Sequence, residues 1–188
     1  MAGHRFARLV SLACHDLRTP LATVNGFAKT LLRGGALGER ETHFVELIDA
    51  AAGQMTGLLD LLALAARIES DRYEPLLGAA DTLELASSDD ERIATEGSGE
   101  TIETDAAVIR RSLESLARCA ALHGNVPRVT WRVSGRELTL SPVRSEAAPV
   151  ITGDAPRDLG ALVARLAIER HGGALAIDGE ELRVWLSE

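Results

Sequence analysis

Residues 15–21 read His15-Asp16-Leu17-Arg18-Thr19-Pro20-Leu21, and the pattern running outward from this heptapeptide decides the fold. On both sides apolar residues recur in steps of three and four, at Phe6, Leu9, Ala13, Leu17, Leu21, Val24, Ala28 and Leu31. Such steps trace one face of a helix, predicted over 4–33. Gly34 and Gly35 end it, as glycine does at a helix C-terminus. A second stripe, Phe44, Leu47, Ala51, Met55, Leu58, Leu62, Ala65 and Ile68, predicts a helix over 40–70. Two long amphipathic helices joined by a short glycine-containing turn make a helical hairpin. One hairpin covers two apolar stripes poorly. Two copies packed as a four-helix bundle cover them well, so a homodimer through residues 1–70 is expected.

With His15 set at 0° and about 100° per residue, the apolar stripe falls at about 120–240°. His15 therefore points away from the core. Its own face carries Arg8, Ser11, Arg18, Thr19, Ala22, Gly26, Lys29 and Arg33, all small or basic apart from two hydroxyls. A neutral imidazole is a competent nucleophile near pH 7, and a neighbouring carboxylate can hold its other ring N–H and fix the tautomer. Asp16 is placed for that. Pro20, inside the helix, removes a backbone hydrogen bond within a turn of the ring.

Composition sets the outer bounds. The 188 residues allow one large domain or two small ones, and 46% are apolar against 3% aromatic, so the core is aliphatic. A net charge of −8 argues against a nucleic-acid partner. The two cysteines, Cys14 and Cys119, lie far apart in sequence, so neither a disulfide framework nor a metal site is expected. No uninterrupted apolar run reaches the ~18 residues of a membrane span, and no signal peptide opens the chain. A cytoplasmic protein with no membrane insertion is the expectation.

Beyond Tyr73-Glu74-Pro75 the pattern changes. A short helix is expected over 76–87, a small hairpin over 92–104 and a helix over 105–123. Strands follow at 129–133 and 137–140, turned at Ser134-Gly135-Arg136. Residues 143–156 read as loop, 157–170 as a helix ending at His171-Gly172-Gly173, and 174–178 with 181–186 as a hairpin turned at Asp178-Gly179. The fold class is α+β: a helical hairpin over 1–70, then over 71–188 a small sandwich, a mostly antiparallel sheet with helices on one face. His43 and His123 have no evident partner in the sequence.

The segment His15–Leu21 resembles the H box of two-component histidine kinases, and residues 4–70 match the hydrophobic register of their dimerisation and phosphotransfer domain. That resemblance implies that His15 accepts a phosphoryl group, that Asp16 is its acidic partner, and that Thr19 stands where a hydrolytic water is aligned in members with phosphatase activity. Receiver domains of response regulators are the implied partners, docking on the face that carries Arg8, Ser11, Arg18, Ala22, Gly26, Lys29 and Arg33.

Residues 71–188 resemble the ATP-binding domain of the same family in a worn form. Aligned on Leu113 and Leu116, its two usual Mg²⁺-holding asparagines become Ser115 and Cys119, and thiols prefer softer metals. Ser141-Pro142-Val143-Arg144 stands where an adenine-reading aspartate and glycines belong. Asp158 replaces a glycine at the start of the next helix, where an anion repels phosphate, although Gly160 and His171-Gly172-Gly173 remain. The expectation is a histidine phosphotransferase that needs no ATP and no cofactor of its own, with Mg²⁺ supplied by the regulator. A response-regulator phosphatase, or a degenerate kinase that modulates a partner, is the alternative.

Overall fold

The computed structural model describes residues 2–35 and 37–187, with side chains described from Phe6 onward except that of Arg8. The chain divides into two compact units, Met1–Tyr73 and Glu74–Glu188.

The first unit is a hairpin of α1 (Ala2–Gly34) and α2 (Glu39–Glu69). Gly35 follows α1 at φ +63°, the left-handed conformation that a glycine adopts without steric cost. The seam between the two helices is narrow and has a seven-residue period. Ala7, Cys14, Leu21 and Ala28 are buried on α1, and Val45, Ala52 and Ala66 on α2, where Leu64 is buried beside that series. Most of the long apolar side chains are not in that seam. Phe6, Leu9, Leu17, Val24 and Leu31 of the α1 stripe, and Phe44, Leu47, Met55 and Leu58 of the α2 stripe, are all exposed in the single hairpin. By length and composition α2 is apolar enough to cross a membrane. Asp49 and Asp60 stand in its middle, however, and Asp60 pairs with Arg18 of α1 at 2.7 Å. These contacts are those of a hairpin helix.

The second unit is a sandwich. Its five-stranded sheet runs in the order β2 (Ile93–Gly99), β4 (Val129–Gly135), β5 (Glu137–Ser141), β7 (Glu181–Trp185), β6 (Ala174–Asp178). Only the β2–β4 pair is parallel. Side chains alternate across it, so Val129, Trp131, Val133, Leu138, Leu140, Leu182 and Val184 are all buried while Arg132 is exposed. They share one core with Ile109, Leu113 and Leu116 of α4 (Ala106–His123) and with Ala161, Ala164 and Ile168 of α6 (Leu159–Arg170). Aspartate caps three helices, each carboxylate accepting from free N–H groups of the first turn. Asp105 caps α4, Asp158 caps α6, and Asp81 caps the short α3 (Thr82–Ala86).

Three expectations change here. Residues 76–87 are not one helix: β1 (Gly78–Asp81) precedes α3, because Asp81 ends the strand and caps the helix. The segment 92–104 does form two strands, but they do not pair with each other. β2 lies along β4, while β3 (Thr101–Thr104) pairs antiparallel with β1 in a separate two-stranded sheet. Gly97, at φ +113°, explains part of this. A Cβ there would lie 2.0 Å from the Val133 carbonyl oxygen, so only glycine lets β2 press this closely on β4. Thr82 then fixes the departure of β3, accepting from the Glu100 N–H at 3.0 Å and donating to the Gly135 carbonyl at 2.6 Å. Lastly, the stretch 143–156 is not all loop, since it holds α5 (Ala148–Thr152).

Candidate functional site

His15 sits in the middle of α1 with its side chain 78% exposed. Its Nδ1 lies 3.1 Å from Asp16 Oδ1. In the tautomer with a proton on Nδ1, the ring donates to that carboxylate and Nε2 keeps its lone pair. The backbone sets this geometry. Adjacent helical positions diverge by about 100°, so the short aspartate reaches back to the near nitrogen and leaves the far one open. Cys14, one residue earlier, points the other way and is buried in the hairpin seam.

Around the ring, Thr19, Ala22, Gly26, Lys29 and Arg33 are all exposed on the expected face. Ser11 is half-buried. Arg8 was expected on the same rim, but its side chain lies outside the described residues. Arg18 is exposed on the expected face as well, with its guanidinium held by Asp60 of α2 at 2.7 Å and both side chains partly exposed. Pro20 lies within the continuous helix α1. Lacking an N–H, it leaves the Asp16 carbonyl without its usual donor, next to the histidine. Below this point Leu17, Pro20, Leu21 and Val24 of α1 line an open apolar groove with Met55, Leu58 and Leu59 of α2.

In the second unit, Ser115 and Cys119, two positions singled out by the resemblance, lie on α4, and Asp158, a third, begins α6. Ser115, Cys119 and His123 follow one another at steps of four, hence on one face of α4. Asp158 Oδ1 accepts from the Ala161 N–H at 2.9 Å, and Asp158 Oδ2 is 3.6 Å from His123 Nε2. His123 thus has a partner that the sequence did not reveal. Gly160 brings the start of α6 close to α4, and a Cβ on it would stand 3.2 Å from Ser115 Oγ. Cys119 is fully buried, and burial together with the nearby Asp158 carboxylate pushes its thiol up to about 12. Past β5, Val143 is buried and Arg144 pairs with Glu180. His171 closes α6, its Nδ1 2.8 Å from the Ala167 carbonyl oxygen, in agreement with a capping role.

Comparison with known proteins follows the same division. Residues 7–71 match the His Kinase A (phospho-acceptor) domain. Over 84 residues the chain is 31% identical to the histidine protein kinase DivJ of Caulobacter vibrioides, covering 44% of this chain and 14% of DivJ. Among solved structures it is similar to full-length ShkA in complex with AMPPNP, with a TM-score of 0.68 and 19% identity, covering 95% of this chain and 44% of that one. It is also similar to the Acinetobacter baumannii histidine kinase AdeS, with a TM-score of 0.54 and 15% identity over 92% of this chain and 97% of that one. The chain thus spans a small part of DivJ and less than half of ShkA, and at these identities the structural matches establish the fold alone. With the phospho-acceptor match on the hairpin that presents His15, and the fold shared across both units, the chain is similar to two-component histidine kinases.

Proposed function

We propose that this protein is a histidine phosphotransferase of a phosphorelay, moving a phosphoryl group between the aspartates of two receiver domains by way of His15, without ATP. In the first transfer the Nε2 lone pair attacks phosphorus. A P–N bond forms, the acyl-phosphate P–O bond breaks, and the donor aspartate leaves as a carboxylate. Asp16 holds the Nδ1 proton and stabilises the positive charge that develops on the ring. The second transfer reverses these events on another receiver. Mg²⁺ sits at the receiver's acidic site. Such transfer depends on positioning and charge stabilisation, which an exposed histidine on a rigid helix supplies. A dimer of the hairpin and a cytoplasmic location, beside the receivers, belong to the same reading.

The observation that carries the ATP-independent part is Asp158. Its carboxylate already satisfies a free N–H at the start of α6, where a nucleotide phosphate would need such donors, and its charge opposes theirs. Ser115 and Cys119 add no hard-cation ligand beside it. This reading predicts that isotope-labelled phosphate moves from a phosphorylated receiver onto the wild-type chain as acid-labile, base-stable label. His15→Ala abolishes that uptake, and Thr19→Ala leaves it largely intact. Slowed receiver dephosphorylation in Thr19→Ala, with no label on His15, favours the phosphatase alternative. Calorimetry with ATP and Mg²⁺ should detect no micromolar binding, and autophosphorylation from ATP would overturn the proposal.

A further inference from the structure

No metal site is expected from the spacing of the cysteines, yet folding gathers three dissimilar ligands at the junction of α4 and α6. Cys119 and His123 are one turn apart on α4, and Asp158 begins α6. Their ligand atoms, Cys119 Sγ, a His123 ring nitrogen and an Asp158 carboxylate oxygen, all lie within 4.8 Å of one another. We propose that Cys119, His123 and Asp158 bind one borderline-soft divalent cation of the zinc class, which fastens the end of α4 to the start of α6.

Four features support the assignment. First, the His123–Asp158 pair already has the spacing, and the Cys119 sulfur lies within 4.8 Å of both. Zinc bonds of about 2.0–2.3 Å at tetrahedral angles separate neighbouring ligands by about 3.3–3.6 Å, and His123 Nε2 stands 3.6 Å from Asp158 Oδ2. Second, the carboxylate is already oriented. Asp158 Oδ1 is held by the Ala161 N–H at 2.9 Å, which turns Oδ2 toward the histidine. Such an outer hydrogen bond is what aligns a ligating carboxylate. Third, the burial is graded. Cys119 is fully buried, whereas His123 and Asp158 side chains are each 22% exposed, so the cluster opens to solvent on one side, where water completes a fourth position. Fourth, the donor set is selective. A thiol beside an imidazole and a single carboxylate suits zinc and is a poor match for Mg²⁺ or Ca²⁺, which take oxygen. On binding, the Cys119 thiol gives its proton to solvent as the sulfur–metal bond forms.

The cation and a nucleotide-held Mg²⁺ would compete for the same face of α4. The proposal does not depend on phosphotransfer by His15, and its test uses no receiver. The full chain, stripped with a chelator and free of any polyhistidine tag, is titrated with Co²⁺ and then with Zn²⁺ against a chromophoric chelator. Expected are one metal per chain, near-ultraviolet thiolate-to-cobalt charge transfer, visible bands of a tetrahedral site, and a higher unfolding midpoint with Zn²⁺. Cys119→Ala and His123→Gln should each weaken binding by more than about a hundredfold, since even outer-shell partners carry about 10- to 100-fold. Cys14→Ser should bind as wild type. His123→Gln keeps the test valid if loss of the buried thiol disturbs folding. Weak octahedral cobalt spectra without charge transfer, or zinc affinity unchanged in His123→Gln, would overturn the proposal and leave the His123–Asp158 contact as a helix cap alone.

Discussion

At the scale of single residues, the cations near His15 divide into two kinds. Arg18 is already paired to Asp60, whereas Lys29 and Arg33 are exposed. Charge reversal therefore tests docking more cleanly at Lys29. Lys29→Glu is expected to slow phosphoryl transfer several-fold at low salt while leaving molar mass and helicity unchanged, and the difference should shrink as salt rises. Arg18→Glu also breaks a part-exposed ion pair worth about 0–1 kcal/mol and sets two carboxylates together, so its effect mixes stability with encounter. Transfer rates indifferent to salt and to Lys29→Glu would place docking on apolar contact around Ala22 and Gly26 instead. A second residue-scale case is Asp90. The Arg92 guanidinium and backbone beside it, with Arg118, hold its carboxyl well below the usual carboxylate range. A lowered folded-state value means that its stabilisation is complete above the unfolded pKa of about 4 and is lost as pH falls below it. Thermal unfolding of wild type and Asp90→Asn should therefore differ by a constant amount between about pH 5 and 7, and converge in stronger acid.

At the scale of elements, the two long helices were legible because a three-to-four periodicity sustained over thirty residues has few alternative explanations. What the stripe did not reveal was its division. The hairpin buries a seven-residue series of mostly small residues, Ala7, Cys14, Leu21 and Ala28, and leaves the bulky members outside. Those bulky residues are the proposed dimer seam. Val24→Asp or Leu58→Asp should place an uncompensated charge there, at a cost of about 3–5 kcal/mol. Light scattering should then report a monomer that keeps its helical circular dichroism, and a dimer unaffected by both substitutions would rule out this seam. The strands were legible where a turn separates two alternating runs, as at Gly135 and Gly179, each with positive φ. They were misread over 92–104 because local spacing cannot say which neighbour a strand will choose. β2 finds its partner some thirty-six residues further on, with Ile93 opposite Val129.

At the scale of the whole molecule, the candidate phosphoacceptor set could be named from the sequence because it is contiguous: His15, Asp16 and Thr19 share one helix. The junction of Cys119, His123 and Asp158 was not, because it needs α6 to meet α4 in space. One clue did lie in the sequence, since Ser115, Cys119 and His123 recur every four residues, but polar residues on a predicted helix are ordinarily solvent-facing. Gly97 has a further consequence, for aggregation. The outer strands of the five-stranded sheet are β2 and β6, and an outer strand that is flat and regular invites pairing with a stranger. In β2 the left-handed kink at Gly97 follows the exposed Glu96, and β6 is five residues long and ends in Asp178. Neither rim offers a long, flat, uncharged row of free amides. The sheet therefore stops where it does, and the dimer proposed for the helices meets no competing interface at these two rims.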